Sequence, residues 1–249
     1  MDRLKAAHLN DLKALNAQNL KHRFVDQDSL SDERYYEQII FQDKIIPTRN
    51  GSLHDYFNGL MWLRYPNTKA YLNSLHWQDI EQLGHRQRSP ARDRITHFDE
   101  CGLVLVTDIP ELKERIAAHD WQWLFVENRQ RWFSPKNGIM PLHFGHANLE
   151  MLCKPFIGLT AKVLTIEDPE ALHLTCAIQA ANMSSINHFK TFQKLDLTLL
   201  QCLQEHRIFA QKGRLLPLPL LGIPGWHNAA QDAAFYANKD YFMPHRSMR

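Results

Sequence analysis

The chain has 249 residues, 44% hydrophobic and 22% charged, with a formal net charge of +2; these are values of an ordinary globular protein and exclude disorder and fibre. Glycine is scarce, at 10 residues, and neither GxGxxG nor the Walker-type glycine loop occurs, which argues against nucleotide folds built on glycine-rich phosphate loops. The charge is too small to advertise nucleic acid by itself, and the one surplus is histidine, with 14 residues.

Leu4, Leu12, Leu15 and Leu20 fall near a helical stripe and predict a surface helix over residues 2–20. A second helix is expected over 32–41, ended by Pro47 and Gly51 in KIIPTRNG. Ser52, with Asp55 three residues on, opens a helix whose face is Leu53, Phe57, Leu60, Met61 and Arg64. Pro66 ends it, and Asn67 or Thr68 caps a further helix through Leu72, Leu75 and Ile80 to about residue 83. Two β-prone runs in ITHFDECGLVLVTD flank Asp99-Glu100-Cys101-Gly102 and predict a hairpin over 95–107.

Pro110 starts a helix to about residue 118, and a tryptophan-rich one follows from Asp120, with Trp121, Trp123 and Trp132 as core or docking surface. Residues 143–153 read as helix and 159–166 as a strand. Asn187 caps a helix with the core stripe Phe189, Phe192, Leu195, Leu199 and Leu203. In the last 36 residues, prolines in RLLPLPLLGIPGW forbid helix and central strand, so 214–249 is expected as an extended strap on the body. The predicted fold class is α+β. It is a mainly helical single domain over 1–249, with a small antiparallel sheet made from the hairpin and the 159–166 strand.

No signal-peptide stretch or membrane span is visible, so the expected compartment is the cytoplasm and no membrane partner is expected. Cys101, Cys153, Cys176 and Cys202 form no CxxC and read as buried free thiols. The sequence says nothing of oligomeric state.

The sharpest constellation is LHFGHANLE. On a helix, His143, His146 and Glu150 share an arc of roughly 60°, a set suited to zinc, manganese or iron with positions left open. About one HxxH pair arises by chance from 14 histidines, so a polar face or core histidines is the plain alternative. In TRNGSLHDYFNG, His54 and Asp55 occupy a first helical turn and Asn58 lies one turn on, with Arg49 just before. Such a set can bind an anion or activate water, or Asp55 merely caps and His54 packs. GHRQRSPARDR gathers His85, Arg86, Arg88, Arg92 and Arg94 against Asp93; guanidinium forks suit phosphate or carboxylate, and a solvated loop is the alternative. Asp99 and Glu100 read as turn residues or as a carboxylate pair for metal or base.

Long stretches carry a family resemblance: IPTRNGSLHDYFNGLMWLRYPNTKAYLNSLH, RSPARDRITHFDECG, LHFGHANLE and PLPLLGIPGW followed by AFYANKDYF. Together they resemble the bacterial domain-of-unknown-function family 3025 over about residues 46–246. His54, Asp55, Phe57, Asn58, Trp62, Pro66, Thr68 and Lys69 match its helix motifs, while Gly59 and Tyr65 depart from them. The chain also has Met243 and His245 where the family pattern places arginines. The resemblance implies no activity, because the family has none to lend.

The favoured reading is a metal-dependent hydrolase of a phosphate-bearing or other anionic substrate. His143, His146 and Glu150 would hold a divalent metal, His54, Asp55 and Asn58 would serve catalysis, and Arg49, Arg92 and Arg94 would bind the anion. One alternative is a non-enzymatic binding or scaffold protein with structural histidines. Another is a nucleic-acid-binding protein or nuclease using the arginine-rich loop.

Overall fold

The computed structural model describes residue 16 and residues 21–180, 185–205 and 207–245. The helix expected over 2–20 lies outside these residues apart from Asn16, which is helical. The fold is α+β, and the chain divides into two compact units: residues through Asp99 with Phe192–Ala210, and Glu100–Thr191 with Gln211 onward.

The first unit begins with β1 (Arg23–Asp26), crosses through α1 (Tyr36–Asp43) and returns in β2 (Ile45–Thr48). The two strands pair in parallel, Phe24 opposite Ile46. KIIPTRNG therefore holds a short strand where only a break was expected; Pro47 is tolerated because a two-stranded ribbon is all edge. Phe24, Ile40, Ile46 and Trp62 form the core here.

Next come α2 (Leu53–Arg64) and α3 (Pro66–Leu83). Ser52 caps α2 as its spacing predicts, its hydroxyl accepting from the Asp55 N–H at 3.2 Å. Pro66 holds Tyr65 at φ −130°, outside helical geometry, and itself takes the first position of α3. The cap of α3 is remote. Asp196, wholly buried in α8 (Ser185–Glu205), accepts from the backbone N–H of Asn67 at 2.8 Å and of Thr68 at 3.0 Å. A carboxylate at the positive end of an 18-residue helix is placed where the helix dipole favours it. Helix α8 starts before Asn187, and Leu195, Leu199 and Leu203 are buried as the stripe predicts; the side chain of Phe189 lies outside the description.

The hairpin over 95–107 does not form. Its first half is helix α4 (Pro90–Cys101), which runs directly into β3 (Gly102–Thr107). Ser89 accepts from the Arg92 N–H at 3.1 Å, Pro90 opens the helix, and Arg92, Ile95 and Phe98 are buried at helical spacing. The β-prone residues of ITHF could not reveal this, because their helical period needs the residues before them.

In the second unit β3 lies inside a four-stranded sheet ordered β4 (Ile139–His143), β3, β5 (Thr160–Glu167), β6 (Leu216–Pro219). All six residues of β3 are buried, as a strand covered on both faces requires. The sheet is mixed, not antiparallel: β3 and β5 run parallel, and β4 and β6 flank them antiparallel. Both outer strands contain proline (Pro141; Pro217 and Pro219), which a central strand could not accept. The remaining helices of this unit are α5 (Leu112–Ala117), α6 (His146–Leu152), α7 (Pro169–Ala180) and the short α9 (Ala233–Tyr236).

The tryptophan-rich segment is a π-helical turn, Trp123–Glu127, that sets Phe125 between Trp121 and Trp132 with ring centroids 6.0 and 5.7 Å away. From the C-terminal stretch, Leu218, Leu220, Leu221, Ile223, Tyr241 and Phe242 join this core. The Tyr241 hydroxyl donates to Leu159 O at 2.6 Å and accepts from Leu221 N at 2.9 Å; burial pushes its pKa up to about 12.

Candidate functional site

The helix expected over 143–153 starts only at His146, so His143, His146 and Glu150 do not share one helix face. Leu142 and His143 continue the ladder with β3. The chain then turns at Gly145, where a Cβ would stand 2.3 Å from Gly102 N and 2.5 Å from Glu100 O. The two imidazoles therefore belong to different elements, β4 and α6. His143 stacks on Trp226, centroids 4.4 Å apart and rings 13° from parallel, whereas His146 is buried in α6. Asn148 on the same helix donates to Cys101 O and Thr160 O, both at 3.2 Å. Glu150 is half-buried. Among the described residues no group of three or more His, Cys, Asp or Glu side chains is placed to hold a metal ion.

The four cysteines are free, but only Cys176 is buried; Cys101 and Cys202 are half-buried and Cys153 is exposed. Burial raises the thiol pKa of Cys101 and of Cys176. No helix among the described residues is long and apolar enough to cross a membrane.

The predicted polar set at the start of α2 assembles only in part. Asp55 accepts from Arg49 Nε at 2.9 Å, Arg49 NH2 at 2.7 Å and the Arg49 N–H at 2.7 Å. Burial alone would raise its pKa, but the bonds from Arg49 prevail and hold the carboxyl below its ordinary range. His54 is half-buried in the first turn of α2. Asn58 faces elsewhere, into a part-buried chain of hydrogen bonds that the sequence reading did not find.

That chain runs along α3. Lys69, Asn73 and His76, at i, i+4 and i+7, share one helix face and are all buried. Lys69 Nζ donates to Asn58 Oδ1 at 2.8 Å and to Asp99 Oδ1 at 2.6 Å, and lies 5.5 Å from the Trp62 ring centroid. Asn58 Nδ2 in turn donates to the Tyr36 hydroxyl at 3.0 Å. Asn73 Nδ2 donates to Glu37 O at 2.9 Å and Glu37 Oε2 at 2.7 Å. Burial lowers the pKa of His76 against the opposing pull of Glu37 and Asp99, with Arg92 and Lys69 lowering it further. Its imidazole is therefore neutral at pH 7, and its Nδ1 has no hydrogen-bond partner. Asp99, expected in a turn, is an α4 residue bound to a buried lysine.

Arg92 is the other buried cation of this unit, 4% exposed. Its Nε and NH1 make no hydrogen bond, and the Asp79 carboxylate stands 3.9 Å from NH1, beyond hydrogen-bonding reach. It lines a cavity of about 290 Å³ between α3, α4 and the end of α8, walled by Leu75, Ile95, Leu203, Ile208 and Phe209 with Tyr71, Gln78, Gln82 and Arg207 at its polar positions. The other residues of the arginine-rich stretch are engaged differently. Arg94 Nε donates to Phe209 O at 2.7 Å and NH2 to Ala210 O at 3.4 Å. Arg88 binds Asp93 at 3.0 Å and the Thr96 hydroxyl. His85 stacks on Tyr35 with centroids 4.5 Å apart. Of the three arginines expected to bind an anion, only Arg92 keeps unpaired donors, while Arg49 and Arg94 hold Asp55 and two carbonyls.

A family described as a protein of unknown function, DUF3025, matches residues 22–246. The chain belongs to the DUF3025 family. No curated protein and no solved structure matches it. Several residues that carry the DUF3025 resemblance fall in the first unit: Asn58 and Lys69 in the part-buried chain, Trp62 beside Lys69, and Pro66 and Thr68 at the Asp196 cap. Of the residues missed by sequence reading, Asn73 and His76 had one available signal. The period of Lys69, Asn73 and His76 on one face of a helix with buried leucines is visible once α3 is known to be covered on that side.

Proposed function

We propose that this protein binds an anionic small molecule in its first unit, with the Arg92 guanidinium as counter-charge. The observation that carries the reading is a guanidinium 4% exposed, with two nitrogens unpaired, lining a cavity. Arginine cannot shed its proton to escape burial, and the Asp79 carboxylate 3.9 Å from NH1 supplies opposite charge without a hydrogen bond, so part of the desolvation cost stays unmet. A bound anion would offset that cost. The hydrolase reading needs His143, His146 and Glu150 at one point, and the stacking of His143 on Trp226 gives that convergence no support.

A functional Arg92 and a structural one differ in what its removal does to stability. Arg92→Met should leave unfolding free energy within about 1 kcal/mol of the parent, because no hydrogen bond from Nε or NH1 is lost and the Asp79 carboxylate, 3.9 Å from NH1, keeps the Ser89 N–H at 3.4 Å. It should at the same time abolish the rise in melting temperature that tens of millimolar acetate or phosphate gives the parent chain at constant ionic strength. A loss of more than about 3 kcal/mol would mark Arg92 as a structural ion and end the proposal.

A further inference from the structure

The walls of the Arg92 cavity say more than that an anion is wanted. Resting on the anion reading above, we propose that the ligand is a carboxylic acid with an apolar body, not a phosphate ester. Three features of the cavity carry this.

The first is charge. One guanidinium is buried there, and the Asp79 carboxylate, itself largely buried, lies 3.9 Å from its NH1. A singly charged carboxylate can take up the open donors. A dianionic phosphate would bring its second charge into a low-dielectric site beside Asp79, where like charges repel strongly. Arg207 also lines the cavity, but it is exposed, so solvent screens what it offers to a second negative charge.

The second is donor supply. Phosphate sites gather many N–H donors, often at a helix N-terminus or from several arginines. Here the backbone carbonyls of Phe209 and Ala210 are acceptors, and they are already taken by Arg94. The buried cation lining the cavity is the Arg92 guanidinium, whose Nε and NH1 have no hydrogen-bond partner. A single guanidinium suits one carboxylate and leaves a phosphate under-satisfied.

The third is the apolar wall. Ile95, Leu203, Ile208 and Phe209 are buried, and Phe209 is held against Phe98 with centroids 5.9 Å apart. A ligand that were only a small anion would leave this apolar wall without a packing partner across the cavity; an aryl or branched alkyl body would supply one.

The test is calorimetric titration of the full chain with four probes: phenylacetate, acetate, phenyl phosphate and the neutral 2-phenylethanol. Phenylacetate should bind at least about tenfold more tightly than each of the other three. Arg92→Met should weaken phenylacetate by at least about tenfold while leaving 2-phenylethanol unchanged, and Ala91→Leu, at a residue that also lines the cavity, should weaken phenylacetate and spare acetate. Phenyl phosphate binding as tightly as phenylacetate, with both lost in Arg92→Met, overturns the carboxylic acid and leaves the anion reading standing. Equal binding of 2-phenylethanol, with no effect of Arg92→Met, overturns both. Absence of phenylacetate binding below about 10 mM, while acetate still stabilises the parent and not Arg92→Met, overturns the acid with an apolar body alone.

Discussion

The two units solve burial in different ways. The second packs a sheet against aromatic rings, and its buried polar side chains are neutral ones such as Thr107, Asn128 and Asn148, or the imidazole of His146. The first is smaller in sheet and richer in buried polarity: Lys69, Arg92 and Asp196, the charged side chains buried among the described residues, all lie there. Burying charge in the interior is costly unless each ion is paired. Asp196 is paired with a helix N-terminus and Lys69 with Asp99, and Arg92 alone keeps open donors. A chain that needed only stability would have made both units like the second, so the excess charge marks the first as the place where function is to be sought.

The sharpest break of that comparison is a pair of substitutions, one per unit. Gly145→Ala should cost more than about 3 kcal/mol, because its Cβ would lie within 2.6 Å of backbone atoms that cannot swing aside. Chemical denaturation reads this directly, and a cost below about 1 kcal/mol would show that the β4–α6 turn is not the rigid feature described. In the first unit Lys69→Met should cost about 2–4 kcal/mol, since it removes the buried ammonium bonded to Asp99 Oδ1 and Asn58 Oδ1. The double variant Lys69→Met with Asp99→Leu should recover most of that loss. Recovery would mean the pair is dispensable for folding, as the contrast between the units requires; no recovery would make the buried charges structural.

What the sequence discloses follows the same division. Local signals were legible: the Ser52 cap, the break at Pro66, and the strand expected over 159–166. Signals that depend on what covers an element were not. Lys69, Asn73 and His76 look like the wet face of a surface helix until α1, α2 and α4 are known to lie over them. Asp196 caps a helix 129 residues away in sequence from Asn67, and no local pattern announces it. The mistaken hairpin has a related cause, because β-branched and aromatic residues suit a buried helix face as well as a strand. The Arg92 donors were found in sequence only as one arginine among several; burial is what sets it apart from Arg88 and Arg94.

The first unit should also be the acid-labile one. His22 is buried and packs on Trp62 with centroids 4.6 Å apart. Burial, and then Lys44 and Lys21, lower its pKa to about 4 from the ordinary ~6.5. The unfolded chain therefore holds the extra proton between those values. Stability should be complete above pH ~6.5 and decline by about 2–3 kcal/mol as pH falls toward 4. His76 acts with the same sign, its pKa likewise lowered by burial. His22→Phe, which keeps a ring on Trp62, should flatten much of this slope in denaturation series across that range. An unchanged slope would move the acid sensitivity to other groups.

The smallest expected effect separates a surface ion pair from the buried ones. Arg49 and Asp55 form three hydrogen bonds, yet the Arg49 side chain is 57% exposed while that of Asp55 is 12% exposed. Solvent screening limits such a pair to about 1 kcal/mol or less. Arg49→Gln should therefore destabilise by no more than that, and the difference from the parent should shrink further in molar salt. The lowered Asp55 pKa should return upward in the variant, because burial then acts without the opposing guanidinium. In the parent the contribution of this carboxylate is present above the ordinary ~3.9 and fades as pH falls through its depressed folded value, so the two proteins should converge in strong acid. A loss as large as that of Lys69→Met would mean that the start of α2, with His54 and Asp55, belongs to the charged interior of the first unit and not to its rim.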